Sequence, residues 1–179
     1  MYFEHGAFRP PEIEDAKIWR FMEFTIFVSL LDTKSLYFAR DDKFNDPFEG
    51  SYTKLNQQLR STIYEGVPKH VLKNISATLA QWRRYVAINC WHLNEHESAA
   101  MWDLYIKGTE GVAIQSTFRS LIESFSLHAD DSIFVGEVSY IDYENDWMTE
   151  GNLFYAFMHK CKSFEHEREL RALLCRYPL

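Results

Sequence analysis

At 179 residues the chain suits one domain with its own core, and 46% hydrophobic with 25% charged residues excludes a disordered class. A net charge of −7 argues against a protein held on nucleic acid mainly through phosphates, since no overall positive field draws it there. Three scattered cysteines (Cys90, Cys161 and Cys175) do not make a secreted disulfide framework.

The first residues lack a basic start followed by an apolar run, so no signal peptide is expected, and no apolar stretch is long enough to span a bilayer. A cytoplasmic location is the expectation. Residues 1–16, with Pro10-Pro11, read as an extended lead-in. Ile18 to Met22 reads as a first strand. Thr25 then caps a short, mostly apolar helix from Ile26 to Leu31, expected to be buried on most sides. Leu36 to Arg40 reads as a second strand, followed by an irregular turn through Asn45-Asp46-Pro47.

Apolar residues at helical spacing predict two amphipathic helices, one through Leu55, Leu59 and Ile63, the other from Pro68 through Val71, Ile75, Leu79 and Trp82. Val86 to His92 reads as a central strand, Glu97 to Tyr105 as a helix, and Gly111 to Gln115 as a strand. Thr117 caps a helix carrying Phe118, Leu121, Ile122 and Phe125. Ile133 to Tyr140 is expected as a strand, Thr149 to Lys160 as a helix, and Arg168 to Arg176 as a closing strand. The irregular alternation predicts an α+β single domain, residues 1–179, with a mixed or antiparallel sheet and flanking helices.

Four constellations carry candidate chemistry. Arg20 shares a strand face with Ile18 and Met22, so it needs an anionic partner, from the protein or from a ligand. The turn Arg40 to Gly50 places Asp46 and Glu49 near one another. Cys90, His92 and His96 look like zinc ligands, but no second pair completes a tetrahedral set, so no metal is expected. Trp102, beside the helical stripe of Met101, Leu104 and Tyr105, could line a pocket rim and stack on a planar ring. In the run from Lys162 to Leu174, a strand would put Glu167, Glu169 and Arg171 on one face, where two acids and a guanidinium can orient one another.

In order along the chain, Trp19-Arg20-Phe21, Leu36 to Arg40, Phe44 to Gly50, Cys90-Trp91-His92, Met101-Trp102 with Leu104-Tyr105, Gly111 to Ile114 and Phe164 to Arg171 resemble a bacterial family catalogued as domain of unknown function two-nine-seven-one. Many members of that family run longer at the C-terminus, whereas this sequence stops at Tyr177-Pro178-Leu179; a missing final strand would alter any site shared with them. The layout is also similar to that of ADP-ribosyltransferases. That second resemblance implies a fold of that kind, with NAD as substrate. It makes Arg20 the residue that holds NAD, Trp102 or Tyr105 the ring that stacks on nicotinamide, Glu169 the catalytic acid and Glu167 its companion. Arg40 and Arg171 complete the cofactor-binding set. The serine-threonine-serine motif of arginine-modifying members is absent, with Gln115-Ser116-Thr117 in its stead.

The leading expectation is therefore ADP-ribosyl transfer or NAD cleavage, in a bacterial toxin or phage-defence setting. Its competitors are a non-catalytic interaction module and a metal-dependent hydrolase built on His92, His96, Asp46 and Glu49.

Overall fold

Three of the helix starts follow local capping chemistry. The Thr53 hydroxyl accepts from the Asn56 amide at 3.1 Å and opens helix α2 (Lys54–Ile63), numbered after an earlier helix described below. Ser98 does the same for α4 (Ala99–Tyr105), accepting from Met101 at 3.4 Å, and Thr117 leads into α5 (Phe118–Phe125), accepting from Ser120 at 3.2 Å. Helix α3 (Lys69–Trp82) follows Pro68 and turns Leu72 and Leu79 inward. In α5, Phe118, Leu121 and Phe125 are buried, each contributing roughly 1.5–3 kcal/mol.

The computed structural model describes residues 1–125 and 131–176. The C-terminal shortening expected at Tyr177-Pro178-Leu179 lies outside the described residues. Within them the fold is α+β. Its main sheet is antiparallel, in the order β4 (Gly111–Thr117), β1 (Lys17–Glu23), β3 (Val86–Leu93), β8 (Glu169–Cys175), β5 (Ile133–Glu137), with the two-residue β2 (Ala39–Arg40) also on β3. A parallel pair, β6 (Ser139–Ile141) and β7 (His159–Cys161), forms a second small sheet. None of the described helices is long and apolar enough to cross a membrane.

Alternation along β3 and β8 sends side chains to two cores. One face packs Ile88 and Leu173 with Tyr52, Met148 and Phe157. The other packs Trp91, Leu170 and Ala172 with Ile18, Leu121 and Phe125. The lead-in lies along the outer edge of β5: Phe3 donates to Ile133 at 2.9 Å, and Glu137 donates to Arg9 at 2.8 Å. Pairing of this kind occupies an edge that would otherwise be open to another chain.

Three expectations are corrected. Helix α1 (Phe24–Thr33) is mostly apolar, yet none of its residues is buried: Phe24, Ile26, Val28 and Leu31 are 46–57% exposed, and Glu23 precedes it without a side-chain cap. The segment expected as a helix from Thr149 to Lys160 is a 3₁₀ turn, Leu153–Phe157, followed by β7. The Asn152 side chain accepts from Phe154 at 2.8 Å and starts the turn, and pairing with β6 then extends the chain. The closing strand begins at Glu169. Arg168 takes a left-handed backbone (φ 39°), which breaks the alternation and leaves Glu167 at the end of a 3₁₀ turn.

Candidate functional site

Strands β1 and β2 share one edge of β3 without meeting. β1 pairs there only at Ile18–Leu93 and Trp19–His92, and β2 only at Ala39–Ile88 and Arg40–Ala87. The stretch Asn89-Cys90-Trp91 faces no strand on that side. The gap is bridged by the Tyr37 carbonyl, which accepts from Arg20 Nη2 at 3.2 Å and from Asn89 Nδ2 at 2.7 Å. At this split lies a cavity of about 150 Å³ walled by Arg20, Cys90, His92, Tyr105, Glu167 and Glu169. That volume holds about one six-membered ring and falls below the roughly 300 Å³ at which ordinary ligand pockets begin.

Arg20 reaches the cavity from β1. Its guanidinium lies 5.9 Å from the Trp91 ring centroid, and its Nη1 is buried without a hydrogen-bond partner. Burial lowers its pKa, opposed by Cys90 and Tyr105. A buried donor left open costs about 1–3 kcal/mol, a cost a ligand acceptor would relieve.

His92 is the complement of Arg20. Its Nδ1 lies 2.6 Å from the Glu167 carbonyl, which only accepts, so the proton sits on Nδ1. Nε2 then presents a lone pair, buried and unpartnered. Burial lowers the His92 pKa and favours this neutral form. One cavity thus combines an open donor with an open acceptor.

The acids belong to a buried ionic chain. Glu49 accepts twice from Arg171, at 2.5 and 2.8 Å. Arg171 Nε donates to Glu169 at 2.6 Å, and Lys160 donates to Glu169 at 3.2 Å and to Glu167 at 2.5 Å. Burial alone would raise the Glu169 pKa, but Arg171, Lys160 and the Cys90 thiol together pull it down to about 2. Glu167 goes the other way: burial raises its pKa, and Lys160 offsets only part of that. The two carboxyls therefore sit in environments that separate their acidities, the usual basis for unlike acid–base roles. The Cys90 thiol is pushed well up by burial and by Glu169, so it remains protonated and is not a nucleophile. Although 42% of Tyr105 is exposed, its hydroxyl end is enclosed, and burial raises its pKa ahead of Cys90 and the two acids.

Alongside this chain, Asp41 pairs with Arg83 at 2.5 Å; burial, then the Glu49 charge, lifts its pKa to about 6. Gly50 follows Glu49 at φ 60°, where an added Cβ would lie 2.8 Å from the Phe157 ring and 2.9 Å from the Asp41 carboxylate. Only glycine takes that backbone at that approach without strain.

The depressed Glu169 carboxyl fixes the sign of a pH effect. A folded pKa below the unfolded value, about 4.5, stabilises the fold fully above that value, and the contribution disappears as pH falls toward about 2. Urea unfolding between pH 5 and pH 2.5 is expected to show a few kcal/mol lost from this group. The corresponding slope should be shallower in Glu169→Gln, and an unchanged slope would contradict the pairing.

Of the residues named from sequence, Arg20, Cys90, His92, Tyr105, Glu167 and Glu169 come together at the cavity. Trp102 does not line it: its indole donates to Glu97 at 3.0 Å, and its ring stands edge-on to Phe21, 5.3 Å between centroids. Arg40 is held on the surface by Asp42 at 2.8 and 2.9 Å. Arg171 is fully buried and spends its donors on Glu49, Glu169 and the Phe157 carbonyl, so it holds charges in place rather than facing a ligand. The hydrolase set does not assemble. Glu49 is tied to Arg171, Asp46 caps the Phe48 amide, and among the described residues no three His, Cys, Asp or Glu side chains gather as a metal site.

Sequence reasoning missed Lys160, which it assigned to a helix, and the open Nε2 of His92, which it read only as a candidate metal ligand. A lysine between Met158-His159 and Cys161 was the available sign, since a cation among such neighbours needs acids. Scans against family models, curated proteins and solved structures returned no match for this chain, so the two resemblances rest on its residues alone.

Proposed function

We propose that the protein breaks the bond between nicotinamide and ribose in NAD, passing the ADP-ribosyl group to an acceptor or to water. The observation that carries this reading is the convergence of Arg20, His92, Glu167 and Glu169 on one ring-sized cavity with an open donor and an open acceptor. Nicotinamide has the complementary pair. Its carboxamide oxygen can accept from Arg20 Nη1, and its amide N–H can donate to His92 Nε2. A volume of about 150 Å³ takes the ring and leaves the rest of the dinucleotide outside.

In the reaction the C1′–N1 bond breaks and its electron pair moves to the ring nitrogen, which loses its positive charge. Positive charge then develops on the ribose. Glu169, kept ionised by Arg171 and Lys160, meets that charge electrostatically. Glu167, with the higher proton affinity, takes the proton of the incoming hydroxyl.

Purified protein is expected to release nicotinamide from NAD. Glu169→Gln should lower the rate at least about a hundredfold, the usual cost of removing one group that stabilises transition-state charge. Glu167→Gln and a melting curve for each variant separate chemistry from misfolding. Wild-type protein that neither binds nor consumes NAD ends the proposal.

One observation favours a second reading, a non-catalytic interaction module: α1 displays Phe24, Ile26, Val28 and Leu31 with no residue buried. In that case a folded Glu169→Gln variant would keep every function of the wild type.

A further inference from the structure

A second cavity, of about 720 Å³, lies against the face of the sheet that carries Ala87, Leu174 and Ile133, opposite the face of Glu169 and Arg171. Its size falls within the range of ordinary small-molecule sites. In a chain of net charge −7, four cations line it among the described residues, Lys34, Arg40, Arg84 and Arg176, against one carboxylate, that of Asp131. So local a reversal of sign is hard to attribute to average surface composition.

The cations fall into two pairs. Arg176 is steered by Asp131 at 2.7 and 3.1 Å, and Arg40 by Asp42 at 2.8 and 2.9 Å. The side chains of Lys34 and Arg84 make no hydrogen bond or ion pair among the described residues; Arg84 feels the Asp42 carboxylate only at a distance, so both keep their N–H donors for an anion. Lys34 is fixed where α1 ends, in a left-handed backbone at φ 50°. The floor is apolar, with Phe125 and Phe38 in ring contact at 6.0 Å, and the rim carries two tyrosine rings, Tyr37 (69% exposed) and Tyr85 (39% exposed).

We propose that this cavity binds a nucleoside phosphate. Flat, amphipathic tyrosine rings give a base a surface to stack on. Free lysine and arginine side chains give a phosphate charge-assisted hydrogen bonds. An apolar floor alone would suit a neutral ligand, and cations alone would suit inorganic phosphate. Their combination selects a molecule with a planar body and an anionic tail. The site shares only Tyr37 with the first cavity and does not depend on NAD cleavage there.

The test is calorimetric titration of the full chain with ADP. Lys34→Asn combined with Arg84→Glu changes two exposed side chains and keeps a residue that tolerates the left-handed backbone. ADP affinity should fall about tenfold or more in this variant, as expected for lost charge-assisted bonds. Adenosine should bind at least about tenfold more weakly than ADP, and added salt should weaken ADP binding. Glu169→Gln should bind ADP like the wild type. The proposal is overturned by wild-type protein that does not bind ADP, by equal affinity in the double variant, or by loss of binding in Glu169→Gln. A single-stranded oligonucleotide that binds more tightly than ADP would also overturn it, by making the cavity part of a strand-binding surface.

Discussion

Replacing Arg171 with leucine is expected to cost about 3–5 kcal/mol, a large share of the roughly 5–15 kcal/mol that holds a domain together. The side chain is wholly buried, and its donors reach Glu49, Glu169 and the Phe157 carbonyl. Leucine fills much of the space, so the loss reports on charge more than on a cavity. Glu49 would then be buried with no cation in contact, while Glu169 would retain only Lys160. Urea unfolding at neutral pH measures the effect. Adding Glu49→Gln to the variant should recover part of the loss, because contacting residues are not additive. A cost below about 1 kcal/mol would mean that water reaches the network and the burial is misjudged.

The second large effect is expected at Gly136, the residue opposite Arg171 on β5. A Cβ there would lie 2.8 Å from Phe8 Cα and 2.9 Å from both the Phe8 carbonyl carbon and the Arg9 nitrogen. These are backbone atoms and cannot rotate away. The lead-in must lift off the sheet, exposing Ala7 and Phe8 (8% and 5% exposed) and stretching the Glu137-to-Arg9 bond. Overpacking of this kind costs about 1–3 kcal/mol, and Gly136→Val should lie at or above the upper end. At about 2–4 °C per kcal/mol for a chain of this length, the melting temperature should drop by roughly 10 °C. Amide exchange should speed up at Ile133 and Glu137, whose hydrogen bonds go to the lead-in. A shift below about 2 °C would show that the lead-in contributes little to stability.

Much of the fold was legible because its cause is local. Thr117, read as a cap from sequence, accepts the Ser120 amide in the structure, and Thr53 and Ser98 start α2 and α4 by the same local bond. The apolar spacing of α2 and α3, and the mostly apolar run of β3, likewise depend on residues a few positions apart. Arg20 was identifiable as a residue that needs an anionic partner, and the structure gives it the Tyr37 carbonyl and the Trp91 ring instead, with Nη1 left open. The Glu169–Arg171 pairing was legible two positions apart, whereas Arg171 finds Glu49 across 122 positions.

The sequence by itself determined the α+β class, helices α2, α3 and α5 with the Thr117 cap, and the two strands that carry the candidate arginine and glutamate. Only the tertiary structure decided that β1 and β2 leave a gap on β3, that Lys160 enters the acidic chain on β7 and that α1 stays uncovered despite its apolar composition. Propensity and periodicity are set by neighbours within a few residues. Burial, by contrast, is set by whichever distant element arrives, and local sequence does not encode that arrival.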